Sequence, residues 1–243
     1  MYCRDWGKRI GFSTRRLNRK DLLEILVILS ATVVWNELVY YSARWIAKSW
    51  YHYDITTAFD RLIPFLPWTV SIYFGCFLVW GVNYLLCALQ DSPERDRFFC
   101  ADMLAKAVCF LFFVAIPTTN IRPDLSGEQG IWASLMKLLY QIDSPDNLFP
   151  SIHCLVSWFC WIGVRKRTDI PFAYRCFSLV AAIAVCISTL TTRQHVIADV
   201  IGGVLLAEIC YWVAGIPKVC RAYRNGINAL CKLLPKQQEQ PRQ

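Results

Sequence analysis

The run Thr191-Thr192-Arg193-Gln194-His195-Val196-Ile197-Ala198-Asp199 places an imidazole and a carboxylate four residues apart at the mouth of a strongly apolar stretch. On a helix, residues four apart share one face, about 6 Å apart along the axis. Asp199 is therefore expected to hold one ring nitrogen of His195 and to leave the other outward as a nucleophile or base. A carboxylate inside a hydrophobic segment is costly unless paired, which marks Asp199 as functional. A buried ion pair that only locks two helices carries the same signature. A second histidine, His153, follows Pro150-Ser151-Ile152 at the start of another apolar run, and Arg122-Pro123 lies upstream of it. Arg122 and Arg193 bring forked donors matched to phosphate oxygens. Helix starts at Pro150 and near His195 add unsatisfied backbone N–H groups and positive dipole ends. A phosphate is the guest that such a set fits.

For these residues to converge, the elements carrying them must end on one side of a bundle. The chain has 243 residues, 56% of them hydrophobic, with 10 Trp, 11 Tyr and 14 Phe, a composition that points to an all-α, polytopic membrane bundle. Long apolar stretches recur near 22–47, 67–89, 98–117, 148–164, 172–190 and 195–216, which predicts six transmembrane helices. The fourth is short and opens on Pro150, Ser151 and His153, which suits a tilted or re-entrant helix. Segments 1–20, 91–97, 165–167 and the tail from Lys218 carry eighteen Lys and Arg, whereas the alternate connections hold only Lys48, Arg61, Arg122, Lys137 and Arg193. By the positive-inside rule both termini are cytoplasmic. His153, His195, Arg122 and Arg193 then share the non-cytoplasmic face of a multi-pass cell-membrane protein. The net charge of +8 reflects this topology, and it gives no support to a nucleic-acid partner.

Three segments follow: a basic N-terminal segment at 1–20, a membrane domain at 21–217 with its site-bearing region at 118–205, and a basic tail at 218–243. The first twenty residues are too polar and too basic for a secretory signal, so the first apolar run reads as a helix of the domain. Most of the twelve cysteines fall within predicted spans and none in an outer loop, a pattern of small apolar fillers with neither structural disulfide nor metal site. Lys106 is expected to pair with Asp102 four residues away and with Glu37 from the first span. Asn120, Asp124, Asp143 and Asn147 read as turn or cap residues, outside the site. Gly202-Gly203 reads as a close helix contact, and Glu208 lies too deep for the chemistry.

The region from about 118 to 205 resembles the type-2 phosphatidic-acid phosphatase superfamily of integral lipid phosphate phosphatases and phosphotransferases. Its signatures are a Lys followed by Arg-Pro, a Pro-Ser-Gly-His at a helix start, and Ser-Arg, five residues, His, three residues, Asp. Arg122-Pro123 is similar to the end of the first, with Ala115 at the lysine position; Pro150-Ser151-Ile152-His153 is similar to the second, with Ile152 for glycine. In the third, His195 and Asp199 keep their spacing and Ser188 its place, while Thr189 stands at the arginine position and Arg193 lies two residues before the histidine. These departures resemble a divergent branch and the sphingolipid phosphotransferases.

The resemblance implies that His195 attacks phosphorus to give a phosphohistidine, that Asp199 orients it, and that His153 protonates the departing alkoxide. It also implies that Arg122, Arg193 and Ser151 hold the phosphoryl oxygens, with no metal or cofactor required. The expected substrate is a phosphomonoester or pyrophosphate of an amphipathic lipid. A phosphotransferase that passes a phospho-headgroup to a lipid alcohol, and a non-catalytic protein that binds lipid phosphates, are the alternatives.

Overall fold

The structure is a computed structural model that describes residues 18–233. The basic segment before residue 18, Cys3 and the polar stretch at 236–243 lie outside the described residues. The described residues form nine α-helices: α1 (Arg19–Ala47), α2 (Ala58–Leu62), α3 (Val70–Ala88), α4 (Ser92–Ala115), α5 (Ile131–Ile142), α6 (Ile152–Val164), α7 (Phe172–Thr191), α8 (Ile197–Val213) and α9 (Pro217–Leu233). A parallel pair of two-residue strands, β1 (Tyr53–Asp54) and β2 (Thr118–Thr119), ties two loops together at one end.

The helix starts are written locally. Asn18 and Asp21 form a reciprocal capping box at the start of α1, and Thr57 and Asp60 do the same for the short α2. Pro93 stands in the first turn of α4, where its missing N–H costs nothing. Ser151 caps α6 by accepting the Cys154 N–H at 3.3 Å.

Packing then sorts the faces. Tyr84, Phe98, Phe99 and Phe159 meet edge to face at centroid distances of 5.1 to 5.9 Å in the core between α3, α4 and α6. Small residues such as Ala101, Ala105, Ala207 and Cys210 let the backbones approach around them. The outer faces are apolar as well: Phe172, Val180 and Ile187 of α7 and Ile201, Leu205 and Ile209 of α8 are all exposed. Apolar residues inside and out suit lipid as the surrounding solvent. The cysteines among the described residues are free thiols, most of them buried between helices.

Among the described residues, four helical stretches are long and apolar enough to cross a membrane: α1, Pro67–Ala88 (a 3₁₀ turn running into α3), α4 and α7. A fifth arises if α8 is taken together with α9, from which it is bent by 91°. The sequence predicts a sixth at 148–164, but α6 has thirteen residues, roughly 20 Å of helix against a bilayer core of about 30 Å. Residues 148–151 precede the helix, and α6 packs instead as a short core helix against α3, α7 and α8.

The two ends of the bundle differ in charge chemistry. At one end Arg95 pairs with Glu24 at 2.8 Å, Arg224 with Asp96 at 2.6 Å, and Arg165 with Glu208. Lys106 pairs with Asp102 at 2.9 Å, and Asp102 also accepts the Tyr84 hydroxyl at 2.6 Å. The expected Glu37–Lys106 pair is not made: Asp102 satisfies the lysine, and Glu37 accepts a hydrogen bond from its neighbour Asn36 at 3.2 Å. The opposite end gathers the termini of α1, α3, α6, α7 and α8 and carries the histidines.

Candidate active site

His195 sits in the loop before α8, nearly buried, and its Nδ1–H donates to Asp199 Oδ2 at 3.1 Å. Asp199 is fully buried; the same oxygen accepts the Val196 N–H at 3.0 Å, so one carboxylate caps α8 and orients the ring. With Nδ1 engaged, Nε2 is the free nitrogen. Burial pushes the His195 pKa down, but the hydrogen bond and charge of Asp199 more than reverse this and hold it above its ordinary value.

His153, in the first turn of α6, faces His195 with ring centres 5.9 Å apart. Its Nε2 lies 2.7 Å from the Tyr73 hydroxyl of α3. That hydroxyl donates to Asp143 Oδ2 at 2.7 Å, which leaves its oxygen to accept from His153 Nε2–H. Asp143 Oδ1 accepts the Tyr40 hydroxyl of α1 at 3.0 Å. Burial raises the Asp143 pKa, but His153, the Tyr73 hydroxyl, His195 and Arg122 together bring it below the usual carboxylate range, so the group is ionised. Asp143 is expected as a turn or cap residue outside the site; it is the C-cap of α5, a helix absent from the expected outer loop, and it also anchors the tyrosine that holds His153. Ala133, Met136 and Leu139 form the buried face of α5, and Met136 and Leu139 pack with Val70 and Tyr73, which delivers Asp143 to the site. The i, i+3, i+6 spacing of those three residues was the available signal. Nothing singles Tyr73 out among the aromatics of an apolar helix.

Arg122 lies over the Tyr140 ring at 4.7 Å, and its two terminal nitrogens donate to the Asp143 carbonyl and to Gln194 Oε1. Its Nε and the Gln194 Nε2 are buried donors without a partner among the described residues. Ser151 serves as the cap of α6, while its backbone N–H donates to the Asp199 carbonyl at 3.1 Å. Arg193 is not brought to the site. It adopts a left-handed conformation, φ 57°, and its guanidinium donates to the carbonyls of Asp60 and Ile63, both at 2.6 Å. The turn explains why: the Thr189 carbonyl accepts both Gln194 N–H and His195 N–H, at 2.9 and 3.1 Å. It reverses the chain so that neighbours in sequence point to different sides. Arg193 thus clamps the loop around α2, and nothing shows it taking over the cation lost at Thr189.

Gly203 explains how α6 and α8 come close enough to pair the histidines. A Cβ there would stand 2.6 Å from the Ser151 carbonyl oxygen, and one at Gly202 2.6 Å from the Phe149 ring, in line with the expected close contact.

A cleft of about 210 Å³ opens between α1 and α3 at this end, with both histidines on its wall. Tyr73, Phe77 and Trp80 form one side and Tyr40 and Tyr41 the other, while Asp143, Asp146 and Asn147 come from the loop after α5. Among the described residues, no three His, Cys, Asp or Glu side chains are grouped to hold a metal ion.

Residues 99–216 match the PAP2 superfamily. This segment belongs to the PAP2 superfamily. No curated protein and no solved structure matches the chain. The matched PAP2 segment contains Arg122, Asp143, Ser151, His153, Gln194, His195 and Asp199, whereas Tyr40 and Tyr73 are supplied from outside it. Membership of the PAP2 superfamily goes with phosphatase- or phosphotransferase-type activity on lipid phosphates, and the apolar helices make the chain a membrane protein.

Proposed function

We propose that this protein is an integral-membrane lipid phosphatase that cleaves a phosphomonoester or pyrophosphate of an amphipathic lipid through a phosphohistidine at His195. The observation that carries this is the paired histidines: His195 with Nδ1 bound to Asp199 and Nε2 free, opposite a His153 anchored through Tyr73, on the wall of one cleft. In the first step His195 Nε2 attacks phosphorus, the bond from phosphorus to the lipid oxygen breaks, and His153, as the imidazolium, gives that oxygen its Nδ1 proton while Nε2–H stays on Tyr73. In the second, water loses a proton to His153 as its oxygen attacks phosphorus, the P–N bond breaks, and inorganic phosphate leaves with His195 restored.

The unpartnered Arg122 Nε and Gln194 Nε2 are the donors that phosphoryl oxygens would satisfy, and the N–H groups of the first turn of α6 add to them. Ser151 supports that turn as its cap. A cleft of this size accepts a phosphate and a small headgroup and leaves the acyl chains in the bilayer between α1 and α3. By the positive-inside rule, the Lys- and Arg-rich end lies in the cytoplasm with both termini, and the histidines lie at the non-cytoplasmic face of a cell membrane.

A transferase reading has one observation in its favour: the rim of the cleft is formed by the exposed Tyr41 and Phe77 on lipid-facing helices, a route by which a lipid alcohol could replace water in the second step. The test is phosphate release by detergent-purified protein from lipid phosphates and pyrophosphates in EDTA, together with acid-labile phosphate retained on the protein. Release and labelling, both lost in His195→Ala, are expected. Labelling with product formed only when a lipid alcohol is added marks the transferase, and release that survives His195→Ala refutes the assignment.

A further inference from the structure

The charges around the cleft run against a simple phosphate site. No lysine or arginine stands among the described residues that line it, whereas Glu37, Asp143 and Asp146 do. Asp146 is neutralised by Arg44 Nε at 3.0 Å. Glu37 and Asp143 have no ion-pair partner among the described residues: Asp143 is held by two tyrosine hydroxyls and Glu37 by an asparagine amide. Glu37 is also exposed ten residues inside the outer end of α1, a costly position for a carboxylate that faces lipid. Asp143 lies beside the two histidines and Arg122, which donates to its carbonyl, whereas Glu37 has no countercharge at hand and attracts a cation.

Two further observations point the same way. Five aromatic side chains, Tyr40, Tyr41, Tyr73, Phe77 and Trp80, wall the cleft, and ring faces attract alkylammonium groups. Asn147 lines the cleft while 5% exposed; its amide nitrogen is used on the Tyr40 carbonyl at 3.0 Å, and its Oδ1 has no partner. A buried carbonyl oxygen without a donor suits an N–H donor on a ligand.

We infer that the cleft selects lipid phosphates that carry an ammonium group a few bonds from phosphorus, with the phosphate at His195 and the ammonium between Glu37 and the aromatic wall. The inference rests on placing the substrate phosphate at the histidine pair. The ammonium can belong to the lipid itself, as in a long-chain amino-alcohol phosphate, or to a headgroup, as in an ethanolamine phosphodiester.

The test is equilibrium competition binding of short-chain lipids in detergent: a sphingoid-base phosphate, a phosphatidylethanolamine and a phosphatidate, on wild type, Glu37→Gln and Tyr41→Leu. One or both ammonium lipids are expected to bind about tenfold more tightly than phosphatidate, the scale of one well-placed charge contact. Glu37→Gln removes most of that ratio without weakening phosphatidate, and Tyr41→Leu, which changes no charge, lowers it as well. The tighter of the two ammonium lipids identifies where the charge resides. Phosphatidate binding as tightly as both, or a ratio unmoved in both variants, overturns the inference and leaves phosphatidate hydrolysis untouched. A full ammonium preference with no lipid phosphate turned over would instead refute the catalytic reading and leave the selectivity standing.

Discussion

Tyr73→Phe removes one oxygen atom and tests whether His153 is a proton donor held in place by its neighbours. Tyr73 is 1% exposed, and its hydroxyl bridges Asp143 Oδ2 and His153 Nε2, each at 2.7 Å. Hydrogen bonds to charged groups contribute about 1.5–3 kcal/mol. At about 1.4 kcal/mol per factor of ten, loss of the bridge at the transition state lowers kcat/KM by roughly 10- to 150-fold. Tyr40→Phe is the control, because it removes the 3.0 Å hydrogen bond to the other Asp143 oxygen without touching His153. Its expected cost to kcat/KM is under about tenfold, because that bond, although it goes to the same ionised carboxylate, is made equally in the ground and transition states. The assay is phosphate release from an alkyl phosphate and from an aryl phosphate on the same tail. The aryl oxide leaves without help, so the Tyr73→Phe defect should shrink on the aryl substrate. Equal losses in the two variants, or a Tyr73→Phe loss that ignores the leaving group, would show that the bridge only satisfies Asp143 and does not position His153.

Asp199→Asn should move the acid limb of kcat/KM to lower pH: protonated His195 is not a nucleophile, and Asp199 is what holds its pKa above the ordinary value against burial. The same change should lower kcat by up to about 10⁴-fold through the wrong tautomer, and an acid limb that stays in place or rises would contradict this account. Arg193→Ala should cost about 2–3 kcal/mol of stability through two lost charge-assisted hydrogen bonds, while Arg193→Gly retains about 1 kcal/mol more because φ 57° suits glycine. Thermal unfolding in detergent should rank the three proteins in that order, and a phosphate KM that rises far more than stability falls would instead return Arg193 to the site. Gly203→Ala should lower both Tm and activity, at about 1–3 kcal/mol for an overpacked contact, because its methyl meets the Ser151 backbone, whereas Gly81→Ala meets nothing within 4 Å and should be neutral or stabilising.

Legibility in the sequence follows the range of each interaction. His195 and Asp199 are readable because their relation is one helical turn, which spacing alone describes. The close contact at Gly202-Gly203 is readable because small residues in an apolar helix have few other uses. Arg193 misleads because proximity in sequence is not proximity in space once the chain passes through a left-handed residue. Asp143 and Gln194 are hidden for a different reason: their roles depend on partners 70 or more residues away, Tyr73 for one and Arg122 for the other. The apolar stretch at 148–164 carries the hydropathy of a span without its helical length, because the chain spends residues 148–151 reaching Asp199 and Thr118 before α6 begins.

The straps at this end of the bundle bear on why a site with so few cations can still serve phosphoryl transfer. Every proposed catalytic group sits at a helix end or in a loop, where mobility is ordinarily greatest. Here those ends are tied across the loops. Asp60 accepts the Ile197 N–H at 2.7 Å, Thr191 takes the Leu66 N–H at 2.9 Å through its carbonyl and meets Thr69 at 2.8 Å through its hydroxyl, and Thr118 accepts the Phe149 N–H at 2.9 Å. These bonds, with the Arg193 clamp, connect the segment after α1 to the end of α7 and the start of α8, and the segment after α4 to the approach to α6. Donors fixed in place need not reorganise as charge develops, so a single arginine and a set of oriented N–H groups achieve more than mobile charges would. On this reasoning Asp60→Ala, far from phosphate and outside the cleft, should reduce kcat by loosening the start of α8, with KM little changed. A loss confined to KM would locate the effect in substrate entry instead.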